Sequence, residues 1–460
     1  MIPNQLIDSL QNVTGFNEAE FIETHLQPKE ITSIRINTQK ISTLDIEELS
    51  NNYNLNISHK VPWCKEGFYL KSRPKFTFDP LLHAGAYYVQ EASSMFLSLI
   101  LEHLFQKEEE KIILDLCASP GGKSTLLTNY FTQGLIVSNE VIKQRATVLV
   151  ENITKWGAAN CIVTNNDPKD FNALTNYFDL VVVDAPCSGS GLFRKDVTAI
   201  DEWSLQNVNL CSQRQQRILA DIIPSIKDEG YLIYSTCSYS KQENEDILDW
   251  LTNEFDCVSV AIQLHTDLGV VETTSDNNKA FGYRFYPNKI EGEGFFIAVL
   301  KFSNQLNKKV SKLNKLIPIT LNESNIVREH MLNFENYQFF KHNSNIICFS
   351  SMFYHELQTI ASYLYIRKAG IEVGIIKGNT LIPAHDWAVS ILCLQNFKKI
   401  SLPLEVILQY LSKKVVIIDT DVRGWALINY KSINIGWIKV LDNRVNNYYP
   451  TNWRIMASIN

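Results

Sequence analysis

The sequence predicts an α/β protein built on a parallel, doubly wound sheet, with a smaller α/β module before it and a mixed, mainly β portion after it. Two observations point there. Short, continuously apolar runs alternate with stretches of helical length across residues 109–302. Strands apolar at every position are buried on both faces, and helical crossovers provide that cover. Each run also ends on a polar residue, and ligands of such sheets sit at the carboxyl ends of the strands.

The runs are "KIILDL" (111–116), "GLIVSNE" (134–140), "NCIVTNND" (160–167), "FDLVVVDAP" (178–186) and "GYLIYSTC" (230–237). They end at Asp115, Glu140, Asp167, Asp184 and Cys237. Stretches such as "KQRATVLVENITKWG" have the length and pattern of crossover helices. Residues 1–108 read as a separate N-terminal module. It is helical over 1–30, has a strand-like "SIRINTQK" carrying Arg35, and is rich in aromatics and turns over 61–90. After 302 comes a lysine-rich linker, "SNQLNKKVSKLNK", and then a portion to 460 with short strand-like runs and one or two helices.

At 460 residues the chain is long enough for several domains. No run of about 18 apolar residues appears, so no membrane span is expected. The opening "MIPNQLIDSL" lacks the basic and apolar regions of a secretory leader. Nine scattered cysteines without a CxxC pair argue against a disulfide framework or a zinc ribbon and for a cytoplasmic location. His83 and His385 lack companions at ligand spacing, so no metal is expected. The net charge of −6 hides a division: residues 303–460 carry 18 Lys and Arg against 10 Asp and Glu. A basic tail on an acidic body fits a polyanionic partner, though a solvated surface would look the same. Trp425, Trp437, Tyr448, Tyr449 and Trp453 in that tail read more readily as core or turn packing than as base-stacking groups.

"LDLCASPGGKST" (114–125) runs a strand into a Pro-Gly-Gly turn and a helix. Glycines allow close backbone approach, and the helix amides face the ligand. A nucleotide phosphate loop would need glycine at Cys117, and Pro120 removes an amide from such a cradle. S-adenosyl-L-methionine fits better, held by Cys117, Ala118, Ser119, Pro120, Gly121, Gly122 and Lys123. Its ribose hydroxyls would meet Glu140, its adenine amine Asp167, and Asp184 would close the site.

"VVVDAPCSGSG" (181–191) sets Cys187 at the same sheet edge as Cys237. Either cysteine alone is more often a small core residue. Two thiols beside a methyl donor have a specific use. C5 of cytosine is a poor nucleophile until a thiolate adds to C6. Cys237 would be that nucleophile, Asp184 would polarise the base, and Cys187 would promote release of the adduct. Nearby positive charge would raise the thiolate fraction, with Lys123 and Lys195 the candidates. Methylation of oxygen or an exocyclic nitrogen needs no thiol.

The segments "DLCASPGGKS", "NE" (139–140), "DAPCSGSG" and "YSTCSYSKQENE", with "AGAYYVQEASSM" and "GYRFYPNKIEGEGFFIAVL", resemble the NOL1/NOP2/Sun family of RNA 5-methylcytosine methyltransferases. The resemblance implies a Rossmann-like methyltransferase core over 109–302 and carries the same roles onto the same residues. Ser119 stands where the family usually has alanine. Arg145 lies where an arginine often follows the second strand. "RKAGIEVGIIKGNTLIPAHDWAVS" and "NIGWIKVLDNRVNNYYPTNWRI" resemble the carboxyl-terminal part of the family's bacterial 16S ribosomal RNA enzymes, including a PUA-like RNA-binding module. The expected partner is therefore RNA, 16S rRNA or the small ribosomal subunit, met by a monomer. The same chemistry on tRNA, or a non-catalytic RNA-binding assembly factor that keeps the fold, are the alternatives.

Overall fold

The computed structural model describes the chain except residues 1, 27–28, 265–267, 304–312, 314, 393 and 458–460. Most of the expected linker lies outside the described residues.

The central sheet has ten strands. Ile112–Asp115, Leu135–Asn139, Cys161–Thr164, Phe178–Asp184 and Ile226–Thr236 are mutually parallel, in the order 161–164, 135–139, 112–115, 178–184, 226–236. The order reverses beside the strand of Asp115, where a doubly wound sheet opens its ligand crevice. Phe295–Phe302 then adds antiparallel to the last strand, followed by Phe281–Phe285 and Val271–Thr274. Successive side chains alternate between two apolar layers. Leu114, Val137, Val181 and Leu232 face Leu219 and Ile222 of the helix Leu205–Ile222. Ile113, Ile136, Val182 and Ile233 face Leu127 and Leu149 on the helices Gly122–Tyr130 and Lys143–Trp156. Both layers exclude water, which is why these strands are apolar at every position.

The N-terminal module places helices Asn4–Leu10 and Glu18–Leu26 before a four-stranded sheet. Its strand Ser33–Ile36 sends the buried Arg35 into the core. Arg35 donates to Gln90 Oε1 (2.8 Å) and Thr125 Oγ1 (2.6 Å), and its guanidinium lies over Trp156, 4.7 Å from the ring centre. Burial lowers its pKa to about 10, so it stays charged at neutral pH. The module is thereby tied to the helix that opens at Gly122.

The sequence suggests a tail standing apart, and here the structure differs. Ile366–Ala369 pairs antiparallel with Cys161–Thr164 and forms the edge of the central sheet. Gly370 follows with φ +52°, where a Cβ would meet the Cys348 carbonyl oxygen at 2.1 Å. The chain turns there, and Ile371–Lys377 enters a separate five-stranded sheet. A last four-stranded sheet runs Lys398–Ser401, Gly424–Tyr430, Ile433–Val440, Val445–Asn447. Its Ile428 and Ile438 share a buried cluster with Ile34, Ile36 and Phe68 of the N-terminal module. Tyr449 is buried in that cluster and Trp437 in a neighbouring one with Trp387, as their reading as packing groups expects, whereas Tyr448 is exposed. Among the described residues no helix is long and apolar enough to cross a membrane.

Candidate active site

The first parallel strand delivers Asp115 to the crevice fully buried. Its Oδ2 accepts from Ser124 Oγ at 2.6 Å, while Oδ1 has no hydrogen-bond partner among the described residues. Burial raises its pKa to about 7, against the opposing bond from Ser124. The loop beyond it is held from three sides. Ala118 N donates to Asn139 O (2.8 Å), Ser119 Oγ to Arg145 O (2.9 Å), and Asn152 Nδ2 to Pro120 O (2.8 Å). The chain then passes through Gly121, in the left-handed region at φ +119°, into the helix from Gly122.

A cavity of about 200 Å³ lies over this loop. Its wall includes Cys117, Ala118, Ser119, Pro120, Gly122, Lys123 and Asp184, so most of the expected cofactor residues do converge. Gly121 forms the turn behind it. Glu140 and Asp167 are not on that wall. Glu140 is buried and accepts from Ile142 N at 2.9 Å, with Arg145 Nη2 at 3.5 Å from its other oxygen. Arg145 also donates to Ser119 O at 2.8 Å, bridging the acid to the loop. Asp167 caps a short helix through Lys169 N (3.2 Å) and sits 3.9 Å from Arg217.

The strand Phe178–Asp184 pairs with Ile226–Thr236 so that Asp184 stands opposite Ser235. Both chains leave the sheet there and bring two thiols together. Cys187 Sγ lies 2.8 Å from Cys237 Sγ, and both cysteines are free and half-buried. The hydrogen bond to Cys237, and then burial, raise the Cys187 pKa well above its ordinary value, so Cys187 keeps its proton. Gly191 lets the loops approach: a Cβ there would lie 2.3 Å from Gly294 O and 2.9 Å from Cys237 O.

Asp184 accepts from Ser235 Oγ at 2.8 Å and pairs with Lys123 Nζ at 2.7 Å. Lys123 is buried and its ammonium also lies 5.2 Å from the centre of the Phe295 ring. Lys123, expected as a thiolate or base contact, and Lys195, the other candidate, each have a carboxylate as ion-pair partner. Lys123 is turned to the Asp184 carboxylate, and Lys195 reaches towards Glu293 at 3.9 Å. The sequence reading gave no role to Asp115 or to Glu243. Asp115 was legible only as one polar strand end among five. Glu243 sits inside "YSTCSYSKQENE", where nothing distinguishes it from a solvated acid.

The unpartnered Asp115 oxygen beside a small cavity suits a cationic ligand such as S-adenosylmethionine. A cation there favours the carboxylate, so binding must expel the Asp115 proton below pH 7. Cofactor affinity is expected to fall towards tenfold per pH unit below that value. Calorimetry across this range, with D115N losing the dependence, checks it. The sign is the same for stability. An acid whose pKa is raised on folding loses its stabilising share as pH climbs from the unfolded value of 3.8 through about 7.

Three family descriptions match the chain: 16S rRNA methyltransferase RsmB/F over residues 102–301, the N-terminal domain of 16S rRNA methyltransferase RsmF over 2–92, and the methyltransferase RsmF PUA domain over 397–455. The chain is 28% identical over 479 residues to ribosomal RNA small subunit methyltransferase F of Psychromonas ingrahamii, covering 98% of itself and 96% of that protein. Against the Pectobacterium atrosepticum protein of the same name it is 33% identical over 310 residues, 65% and 62% of the two chains. Among solved structures, a methyltransferase homolog protein from Pyrococcus horikoshii is 28% identical with a TM-score of 0.52, covering 66% of this chain and all of that one. NSun6 from the same organism, solved with SFG, is 20% identical with a TM-score of 0.53 over 65% of this chain and 98% of that one, and shares the fold. S-adenosylmethionine is the cofactor of this fold's catalytic domain. With the RsmB/F core, RsmF N-terminal and RsmF PUA segments in order along one chain, the protein is an RsmF-type member of the Sun family.

Proposed function

We propose that this protein methylates C5 of a cytosine in 16S rRNA through a covalent adduct on Cys237. The observation that carries this reading is the pair of sulfurs, 2.8 Å apart, at the sheet edge where Asp184 and Lys123 also meet. Cys237 Sγ adds to C6 of a flipped cytosine, and the electron pair moves to C5. Bound S-adenosylmethionine supplies the electrophilic methyl group. Asp184, half-exposed and held by Ser235 and Lys123, faces the N3 and N4 side of the ring, where charge develops during addition. Water takes the C5 proton, the electrons of that bond restore the C5–C6 double bond, and the C6–S bond breaks; the departing Cys237 sulfur takes the proton carried by Cys187, which regains one from solvent.

Extruding the base costs a few kcal/mol. The N-terminal module and the PUA domain, both built against the core, offer the contacts that offset it. The PUA match and the basic tail support an RNA substrate.

The test is methyl transfer by the purified protein to small ribosomal subunits, naked 16S rRNA and tRNA, with bisulfite sequencing of the products. Label in a 16S cytosine supports the reading. Label confined to tRNA replaces the substrate, and no label on any cytosine sinks it. In the same assay C187A is expected to accumulate a protein–RNA adduct, visible as a slow band on a denaturing gel. Normal turnover by C187A removes Cys187 from the release step.

A further inference from the structure

We propose that Glu243 is the positioning residue that sets the spacing of the two sulfurs, by tying both cysteine loops to one carboxylate. Each cysteine is followed by a serine: Cys187 by Ser188, Cys237 by Ser238. Both serine hydroxyls donate to Glu243 Oε2, at 2.5 Å from Ser188 and 2.6 Å from Ser238. Glu243 Oε1 accepts from the Ser188 backbone N–H (2.8 Å) and from Gln215 Nε2 (3.1 Å). Gln215 in turn holds the carbonyl of Pro186, the residue before Cys187, at 3.0 Å. The acid is fully buried and absent from the wall of the cofactor cavity. It therefore acts on the loops and not on substrate. Its own backbone is fixed by Tyr234, whose hydroxyl donates to Glu243 O at 2.6 Å.

The arrangement has a mechanical consequence. Neighbouring Cα atoms are about 3.8 Å apart along a rigid peptide, so fixing each serine fixes the cysteine beside it. The two loops also meet directly, through Gly191 N to Cys237 O and Tyr239 N to Ser190 Oγ, both at 2.9 Å, and through Ser238 Oγ beside Ser188 Oγ (3.2 Å) and Ser190 Oγ (3.4 Å), so Glu243 is the charged member of a shared network. Without an acceptor at Glu243, two hydroxyls and an amide lose their common anchor and the loops part. Glutamine keeps a carbonyl for the Ser188 amide and an amide group for the hydroxyls, so it replaces much of the tie.

The assignment rests on Cys187 and Cys237 acting as a pair, and its test has one arm that needs no RNA. Diamide takes two hydrogens from a pair of thiols and leaves a disulfide, at a rate set here by how often the sulfurs meet. The Cys187–Cys237 crosslink is read by mass spectrometry of tryptic peptides. E243A is expected to form it at least about tenfold more slowly, and E243Q at close to the wild-type rate. In methyl transfer, E243A is expected to lose roughly 10²-fold in kcat, the scale of a 1 Å misplacement, with KM for RNA and cofactor affinity unchanged. E243A that binds cofactor and crosslinks at the wild-type rate overturns the assignment. If E243A fails to bind cofactor, the double variant Ser188→Ala with Ser238→Ala removes the same tie from the other side and is judged by the same two outcomes. Methyl transfer that labels no cytosine would instead count against the cytosine chemistry, and leaves the crosslinking result to decide Glu243.

Discussion

Replacing Cys237 by alanine is expected to lower methyl transfer by about 10⁴-fold or more while leaving the cofactor bound. The size follows from the chemistry: without addition at C6, C5 has no electron pair to offer the methyl group, and no neighbouring side chain substitutes. Cys187 is the nearest sulfur, and although the variant removes the Cys237 hydrogen bond that does most to raise its pKa, burial still works to hold its proton. Cofactor affinity is spared because Cys237 is not on the cavity wall that Asp115, Lys123 and Asp184 share. The measurement is transfer of labelled methyl to rRNA, beside calorimetric binding of the cofactor. Residual activity within about tenfold of wild type would show that another group adds to C6, a loss far smaller than removal of a nucleophile brings.

The second large effect is on stability. Arg284 and Glu245 form a buried bidentate pair, Nε to Oε1 at 2.6 Å and Nη2 to Oε2 at 2.5 Å, with both residues almost inaccessible. Burial pulls the Arg284 pKa down, but Glu245 and Tyr286 together push it up by more, and the guanidinium stays charged. Its third arm donates to Tyr239 O at 2.8 Å, two residues past Cys237. The pair thus joins the strand Phe281–Phe285, the helix starting at Glu245 and the nucleophile loop. Breaking it with R284M or E245L leaves one uncompensated buried charge and is expected to cost about 3–5 kcal/mol. Making both changes together removes the charges as a pair and should recover much of that loss. Chemical unfolding of the two single variants and the double gives the cycle. Single variants within about 0.5 kcal/mol of wild type, the range of ordinary surface changes, would mean the pair contributes nothing.

The parallel strands were legible because their environment leaves a direct mark. Every position from Ile112 to Asp115 is buried, so nothing polar interrupts the run until the strand reaches the crevice. The Pro-Gly-Gly turn was legible for a similar reason, since a tight turn into a helix admits few residues. Glu140 and Asp167 show the limit of this logic. Glu140 directly follows its strand as read, whereas Asp167 lies three residues beyond Thr164, and the neighbours that claim their oxygens, Ile142 N, Arg145 and Lys169 N, depend on how the following segments fold back. The tail shows it again. Nothing in "RKAGIEVGIIKGNT" assigns its two ends to different sheets, and the turn at Gly370 divides it between them.

From the chain of residues alone came the sheet, the order of its polar ends, the cofactor loop and the presence of two thiols at one edge. These are local properties: periodicity, turn chemistry and burial are written in consecutive residues. Tertiary structure alone decided that Lys123 meets Asp184, that Asp115 keeps a free oxygen, and that one acid, Glu243, gathers the serines behind both cysteines. Those contacts join residues about 50 or more apart in several cases, and their strength depends on water being excluded by packing from every side, which no stretch of sequence records.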